Sequence, residues 1–348
     1  MKTVCRVCPL ECALREGQKG RCGVRSNQGG LICYDLYGMV YPLYLAPTEI
    51  HFNHLLPGSL ALATGSLGCN LGCRMCHNSF QTQDIQQHAH NLMEFEANEL
   101  VDLADQQGAE VIVFTYNDPV PQYEWIIDVA SACRKSGLLV ALCTAGYISR
   151  EYRAALFNAV DAVELSLKGF SWDTHHRMTG VSSTSPLESI QFLAQSDTWL
   201  EVTITVVPGY NDDMAELTDY VRWHLQHLGA DVPLRFAGFR PEHELKDVEP
   251  TSEGTLGQLQ AMAEAEGLDH VYLGNVNYPP GQTTFCHKCG TALIERDWFR
   301  LVSYDAIRDT CPNCDAKIPG IFKHDHPVQR FHGKQRIIEV PAPCVSSE

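Results

Sequence analysis

From about residue 60 to residue 240, short apolar blocks alternate with longer amphipathic ones. The short blocks are Leu60–Thr64, Glu110–Thr115, Leu138–Cys143, Ala162–Leu167, Leu200–Val207 and Pro233–Phe239. Continuous apolar runs this short, bounded by turn residues, predict strands buried on both faces. The longer blocks repeat their apolar positions at helical spacing. One spans Asn98–Gln107 and stops at Gly108; another spans Tyr123–Lys135 and stops near Gly137. Ser185-Pro186-Leu187-Glu188 reads as a capping box opening a helix through Leu193. Asp212 is expected to cap a helix with Met214, Leu217, Tyr220, Val221 and Leu228 on its apolar face, ended by Gly229. A further helix runs from a Ser252 cap to Gly267, and Val271–Val276 adds one more short strand. Strands alternating with helices predict an α/β fold with a parallel sheet, here an open (β/α)6 partial TIM barrel. Functional residues then belong at the C-terminal ends of the strands.

The flanks follow other patterns. Leu31–Tyr37 and Val40–Tyr44 alternate around Gly38, as a hairpin would. Near the other end, Leu293-Ile294 and Leu301-Val302 predict a second hairpin. The expected division is a leader at 1–55, a core at 56–278, a small module at 279–322 and a solvated tail at 323–348. The tail holds His324, His326 and His332, whose default is solvent rather than metal.

Composition narrows the function. At 348 residues the chain can hold one large barrel and a small module. It has no run of 18 apolar residues and no signal-like start, so neither a membrane span nor secretion is expected, and a cytoplasmic location is. The net charge of -16 argues against nucleic acid as a main partner.

The cysteines change the picture most. There are 15, and eleven fall in three tight clusters, which suits metal sites in a reducing compartment better than disulfides. Cys69, Cys73 and Cys76 form a C-x3-C-x2-C array directly after the first strand. Three thiolates at this spacing can hold three irons of a [4Fe-4S] cluster and leave the fourth iron open. The rival is zinc with a fourth ligand such as His77. In the leader, Cys5, Cys8, Cys12 and Cys22 suit either tetrahedral zinc or an iron-sulfur cluster. Cys286, Cys289, Cys311 and Cys314 form two C-x2-C knuckles, a zinc ribbon or a rubredoxin-like iron site. Cys33, Cys133 and Cys143 stand in apolar surroundings and read as packing residues; Cys344 also falls outside the clusters.

This set of motifs resembles the radical S-adenosylmethionine (SAM) enzymes. The chain resembles the radical SAM enzyme of the AmmeMemoRadiSam system, a relative of the pyruvate formate-lyase activating enzymes. The resemblance rests on the leader cysteines, Gly68-Cys69-Asn70, Cys76-His77-Asn78, Tyr116-Asn117-Asp118-Pro119, Val207–Asp212, Gly274-Asn275-Val276 and Cys289–Arg296. It implies a [4Fe-4S] cluster and SAM, whose amino and carboxylate groups chelate the open iron. It also implies reductive cleavage to a 5′-deoxyadenosyl radical and hydrogen abstraction from a substrate. The electron comes from a donor such as flavodoxin or ferredoxin. Asp118 and Lys168 are expected to hold the amino acid end of SAM, with Asn117 and Ser166 nearby and Met75 against the adenine. No catalytic residue is assigned.

The chain departs from the family pattern on the substrate side. Met75 replaces an aromatic residue, Asp118 a Glu, Ser166 an Asp, Ala145 an Asn and Arg240 a His. These changes leave the cluster and SAM cleavage in place and weaken transfer of the activase substrate, a glycine of a partner enzyme. The rival functions are a glycyl-radical activase acting on a protein or peptide, and a zinc-rich scaffold without chemistry.

Overall fold

A computed structural model describes residues 2–182, 184–306, 309–323 and 336–338. Among them, nine strands join in one sheet. Leu60–Thr64, Val111–Phe114, Leu139–Thr144, Ala162–Leu167, Trp199–Val206, Leu234–Gly238 and Val271–Gly274 run parallel in sequence order. Sequential order is the winding of a barrel, not of a doubly wound sheet. The chain is thus a partial (β/α)6 barrel with a seventh strand.

Register explains why the runs look apolar throughout. Leu62, Ile112, Val140, Val163, Val202, Leu234 and Val271 face the helices and build the main core. The alternate row, Ala61, Val111, Val113, Ala141 and Ala162, faces into the barrel. Small inward residues leave room for a plug: Phe52, Leu55 and Leu56 fill the barrel floor. Each fully buried Leu, Ile or Phe contributes roughly 1.5–3 kcal/mol.

The crossover helices are Ala97–Gln106, Tyr123–Ser136, Arg150–Phe157, the pair Trp172–Thr179 and Thr184–Leu193, Met214–His227, and Glu253–Glu266. Glu96 and Glu99 form a capping box, and Gly137 ends its helix in the left-handed conformation. Two expected caps move. Asp213, not Asp212, accepts from the Glu216 N–H, while Asp212 accepts from Gly209 in the preceding turn. Ser185 lies inside its helix and donates to the Ile148 carbonyl, so it ties the helix to the strand-end loop rather than capping it.

The hairpin expected around Gly38 is not formed. Leu31–Tyr34 pairs with Arg25–Gln28, Met39–Val40 with Met93–Glu94, and Leu43–Pro47 antiparallel with Leu60–Thr64. Leu31–Tyr34 takes the preceding strand as its partner, and the segments after Gly38 pair with later ones. The main sheet therefore begins at residue 43, inside the segment expected to be leader. Arg336–Ile337 adds an outer strand to Leu43–Pro47; both residues are exposed and Ile338 is buried, so this part of the expected tail is paired with the sheet while its strand faces solvent. His324, His326, His332 and Cys344 lie outside the described residues.

The small module is a ribbon whose hairpin, Ala292–Asp297 with Arg300–Tyr304, forms as expected. It docks on the barrel floor. Arg296, 2% exposed, donates to the carbonyls of Gln282 and Asn53. Ile321 and the His54–Leu56 segment exchange backbone hydrogen bonds of 2.8 and 2.9 Å. Gly320 permits this approach: a Cβ there would stand 2.6 Å from the His54 carbonyl oxygen.

Candidate active site

The C-terminal ends of the parallel strands enclose a cavity of about 580 Å³, enough for a nucleoside-sized ligand. Every residue expected in the SAM site lines it: Cys69, Cys73, Cys76, Met75, Asn117, Asp118, Ser166 and Lys168. They come from different strand ends, so the fold gathers what the sequence scatters.

The cysteine loop is held by its backbone. Gly72 and Arg74 donate to the carbonyls of Thr179 and Met178 at 3.2 and 3.0 Å, and Gly68 donates to Gln81 at 2.9 Å. Asn117 clamps the loop from the next strand: its oxygen accepts from the Ser66 N–H at 2.9 Å and its amide donates to the Gly68 carbonyl at 2.8 Å. Tyr116 beside it has φ of 73° and Asn275, at another strand end, has φ of 59°. Left-handed backbone at bulky residues is a hallmark of constrained sites. Burial raises the Cys73 thiol to about 12 and pushes Cys69 well above its ordinary value. Bound cations reverse that balance and favour thiolates. His77 is engaged elsewhere: its ring stacks on Phe239, and Nε2 meets the Arg240 carbonyl at 3.1 Å.

The polar wall carries Lys168, Arg235, Arg240 and Arg296. Among the described residues, half-buried Lys168 has no ion-pair partner, and Cys73 and Asp118 are among its electrostatic neighbours. A lysine so placed favours a carboxylate. Asp118 is different. Its carboxylate accepts from Val120 N–H at 3.0 Å, Ala145 N–H at 2.9 Å and the Thr144 hydroxyl at 3.1 Å. It fastens two strand ends together, with little acceptor capacity left over. Burial raises its pKa, against these hydrogen bonds. Ser166 donates to Glu164, itself buried with a raised pKa for the same reason. Met75 packs with Met178, Val207 and Phe239, an apolar shelf beside the thiols.

Several lining residues escaped the sequence. Cys143 packs on the inner apolar cluster, as expected, and also lines the cavity; its electrostatic neighbours are Glu164, Arg235 and Glu201 rather than the three loop thiols. Cys133 does sit in the core. Glu49, His51 and Asn53 enter from the floor segment, and Arg296, Trp298 and Phe299 from the ribbon. Only the inward parity of Ala141 and Cys143 on one strand hinted at any of this.

The outer cysteines stand apart from the cavity. Cys286, Cys289, Cys311 and Cys314 have all four sulfurs within 4.8 Å of one another, as a single metal ion requires. Cys5, Cys8, Cys12 and Cys22 surround a separate small void.

The comparisons agree with this geometry. Residues 64–221 match the radical SAM superfamily. An uncharacterized protein of Methanocaldococcus jannaschii is 32% identical over 91% of this chain and 95% of its own length. The pyruvate formate-lyase 1-activating enzyme of Escherichia coli K12 is 25% identical over 58% of this chain and 87% of its own length. Among solved structures, a radical SAM methyltransferase from Sphaerobacter thermophilus superposes with a TM-score of 0.50, at 13% identity, over 68% of this chain and 71% of that one. No helix among the described residues is long and apolar enough to cross a membrane. Three thiols on a strand-end loop, Lys168 lining the same cavity and the family match over the barrel strands have one common explanation: the chain belongs to the radical SAM superfamily, related to the pyruvate formate-lyase activating enzymes, and membership implies a [4Fe-4S] cluster and SAM.

Proposed function

We propose that Cys69, Cys73 and Cys76 hold the cluster, and that this enzyme uses SAM to abstract hydrogen from a substrate in the same cavity. When bound, cluster and SAM together supply a one-electron cleavage that yields a 5′-deoxyadenosyl radical. The observation carrying the reading is the donor set: three thiols and an unpaired lysine line one cavity beside an apolar shelf. Lys168 receives the SAM carboxylate, and Met75 supports the adenine. Asn117 and Asp118 position the loop and the neighbouring strand end, while Ser166 orients Glu164 at the inner wall. A low-potential donor such as flavodoxin or ferredoxin provides the electron.

Glu164, Arg235, Arg296 and Trp298 lie on the remaining wall, so the substrate meets both barrel and ribbon. The activase reading has the likeness to the pyruvate formate-lyase 1-activating enzyme behind it. Its substrate there is a partner protein, and mixing with a candidate partner would give a glycyl doublet in electron paramagnetic resonance. The zinc-rich scaffold has no use for such a cavity. Anaerobic reconstitution followed by reduction with SAM tests the main reading. A cubane spectrum with 5′-deoxyadenosine release is expected; zinc in the loop and no nucleoside product would end it.

A further inference from the structure

The leader and the ribbon each present four cysteines, and the sequence leaves zinc open at both, against an iron-sulfur cluster in the leader and a rubredoxin-like iron in the ribbon. Their geometry differs. In the ribbon, Cys286 and Cys314 sulfurs stand 3.5 Å apart, and Cys289 and Cys311 sulfurs 3.6 Å apart. Zinc about 2.3 Å from each thiolate calls for roughly this spacing. Cys5, Cys8, Cys12 and Cys22 instead line a void of about 20 Å³. That exceeds the ~10–15 Å³ that admits one water. No water-sized void fits inside a tetrahedron whose corners lie ~2.3 Å from its centre. Among the described residues, only the ribbon set has four such atoms within 4.8 Å of one another. In this the leader thiols follow the three cysteines of the barrel loop, which also surround open space.

The lining is built for an anionic centre. Beside the four thiols, the lining carries one charged side chain, Arg25. The Arg25 guanidinium, 3% exposed, lines the same void and is fixed by Glu124 at 2.5 and 2.7 Å. A charge held this way beside the sulfurs tunes an iron-sulfur centre.

The void lies against the barrel loop. Asn70 lines it, while Cys69 and Leu71 on either side line the main cavity. A Cβ on Gly68 would stand 2.4 Å from the Cys22 carbonyl oxygen, so only glycine lets the two loops touch. Cys8 and Leu10 pack on the same small apolar group as Cys69 and Cys73.

We propose that Cys5, Cys8, Cys12 and Cys22 bind a second [4Fe-4S] cluster, in electron-transfer contact with the cluster of the barrel loop. A one-electron donor of the flavodoxin or ferredoxin class reduces it. It returns to the oxidised state by passing that one electron to the barrel-loop cluster, with no bond made or broken. The relay rests on the function proposed above; the metal assignment does not.

The test removes the barrel-loop ligands together, C69A/C73A/C76A, in the full chain purified and reconstituted anaerobically with iron and sulfide. About four irons and one zinc per chain, with a cubane signal after dithionite, are expected. Two zincs and no iron, or iron only as a mononuclear site, would overturn the assignment. If the triple variant does not fold, Mössbauer counting on the wild type and on C5S/C12S decides the same point: a loss of about four cubane irons in C5S/C12S supports it, and a count unchanged by that substitution refutes it. For the relay, the doubly reduced wild type should show spin-spin broadening absent from the triple variant and from C5S/C12S. Two unperturbed, additive signals would refute the contact. A wild type with about four cubane irons, all retained in the triple variant, would sink the function proposed above and leave the leader cluster standing.

Discussion

The ribbon and the barrel rim are both cysteine sites, and they are built in opposite ways. The ribbon's four sulfurs come from one local unit, two knuckles joined by a hairpin, and already stand at single-ion spacing. The rim takes three sulfurs and Met75 from one loop and the rest from elsewhere: a lysine just after the fourth parallel strand, a clamp after the second, and three further segments that complete the apolar shelf. A local site encodes its ligand in its spacing. A gathered site encodes it in the fold, and its chemistry is done by what the barrel brings opposite the cysteines.

The largest expected effect tests that division directly. Cys73→Ala should abolish 5′-deoxyadenosine formation, a loss of at least about a thousandfold, because two thiolates no longer hold the cluster. Far-ultraviolet circular dichroism should be unchanged. A variant that still releases the nucleoside would break the rim half of the comparison. Lys168→Ala comes next. Losing one charge-assisted contact to a carboxylate should raise the SAM Kd about 10- to 100-fold, with cluster iron unchanged. Binding unaltered by this change would mean that the unpaired cation serves the substrate instead.

The ribbon should respond in the other currency. Cys311→Ser removes a fully buried ligand, so one metal per chain should be lost. The module contributes Trp298 and Phe299 to the cavity but neither Lys168 nor Met75. SAM affinity should stay within about twofold while thermal stability falls by several degrees. A drop in SAM affinity equal to that of Lys168→Ala would erase the distinction between the two sites.

The same distinction decides what the sequence could disclose. The strands were legible because each is an apolar run with turn residues at both ends, and the ribbon because its spacing is local. Asp118 was legible as a rim carboxylate. Its hydrogen bonds to Val120, Thr144 and Ala145 were not, since they depend on how two strand ends meet. Cys143 looked like core because a parallel strand covered on both faces gives no sign of which face looks inward. The Gly38 hairpin misled for the reverse reason: local alternation was real, but Leu43–Pro47 found a better partner in Leu60–Thr64. His51, Arg296 and Trp298 reach the cavity from segments far apart in sequence, and nothing in their surroundings announces it.

The smallest expected effect lies on the seam between the two regions. His54 sits on the barrel floor under the ribbon, its ring nitrogens 2.5 Å from the Pro319 carbonyl and 2.6 Å from the Tyr272 hydroxyl. His270, Trp199 and Phe322 surround it, and Arg296 and Arg235 lend positive charge. Burial first, then these arginines, lower its pKa to about 3, against the Pro319 hydrogen bond, which raises it. In the unfolded chain the ring titrates near 6.5. Between about pH 6.5 and pH 3 the unfolded state therefore binds the proton and the folded state does not. Stability must rise with pH across that window and fall on acidification, by at most about 1.4 kcal/mol per pH unit for this one group. Urea midpoints at pH 7.5 and 5.5, with ribbon metal monitored, should show a smaller acid loss in His54→Gln than in wild type, by about 1 kcal/mol. An identical loss in both proteins would mean that the ribbon stays docked whatever the charge beneath it, and that the seam is held by Arg296 and the Ile321 backbone alone.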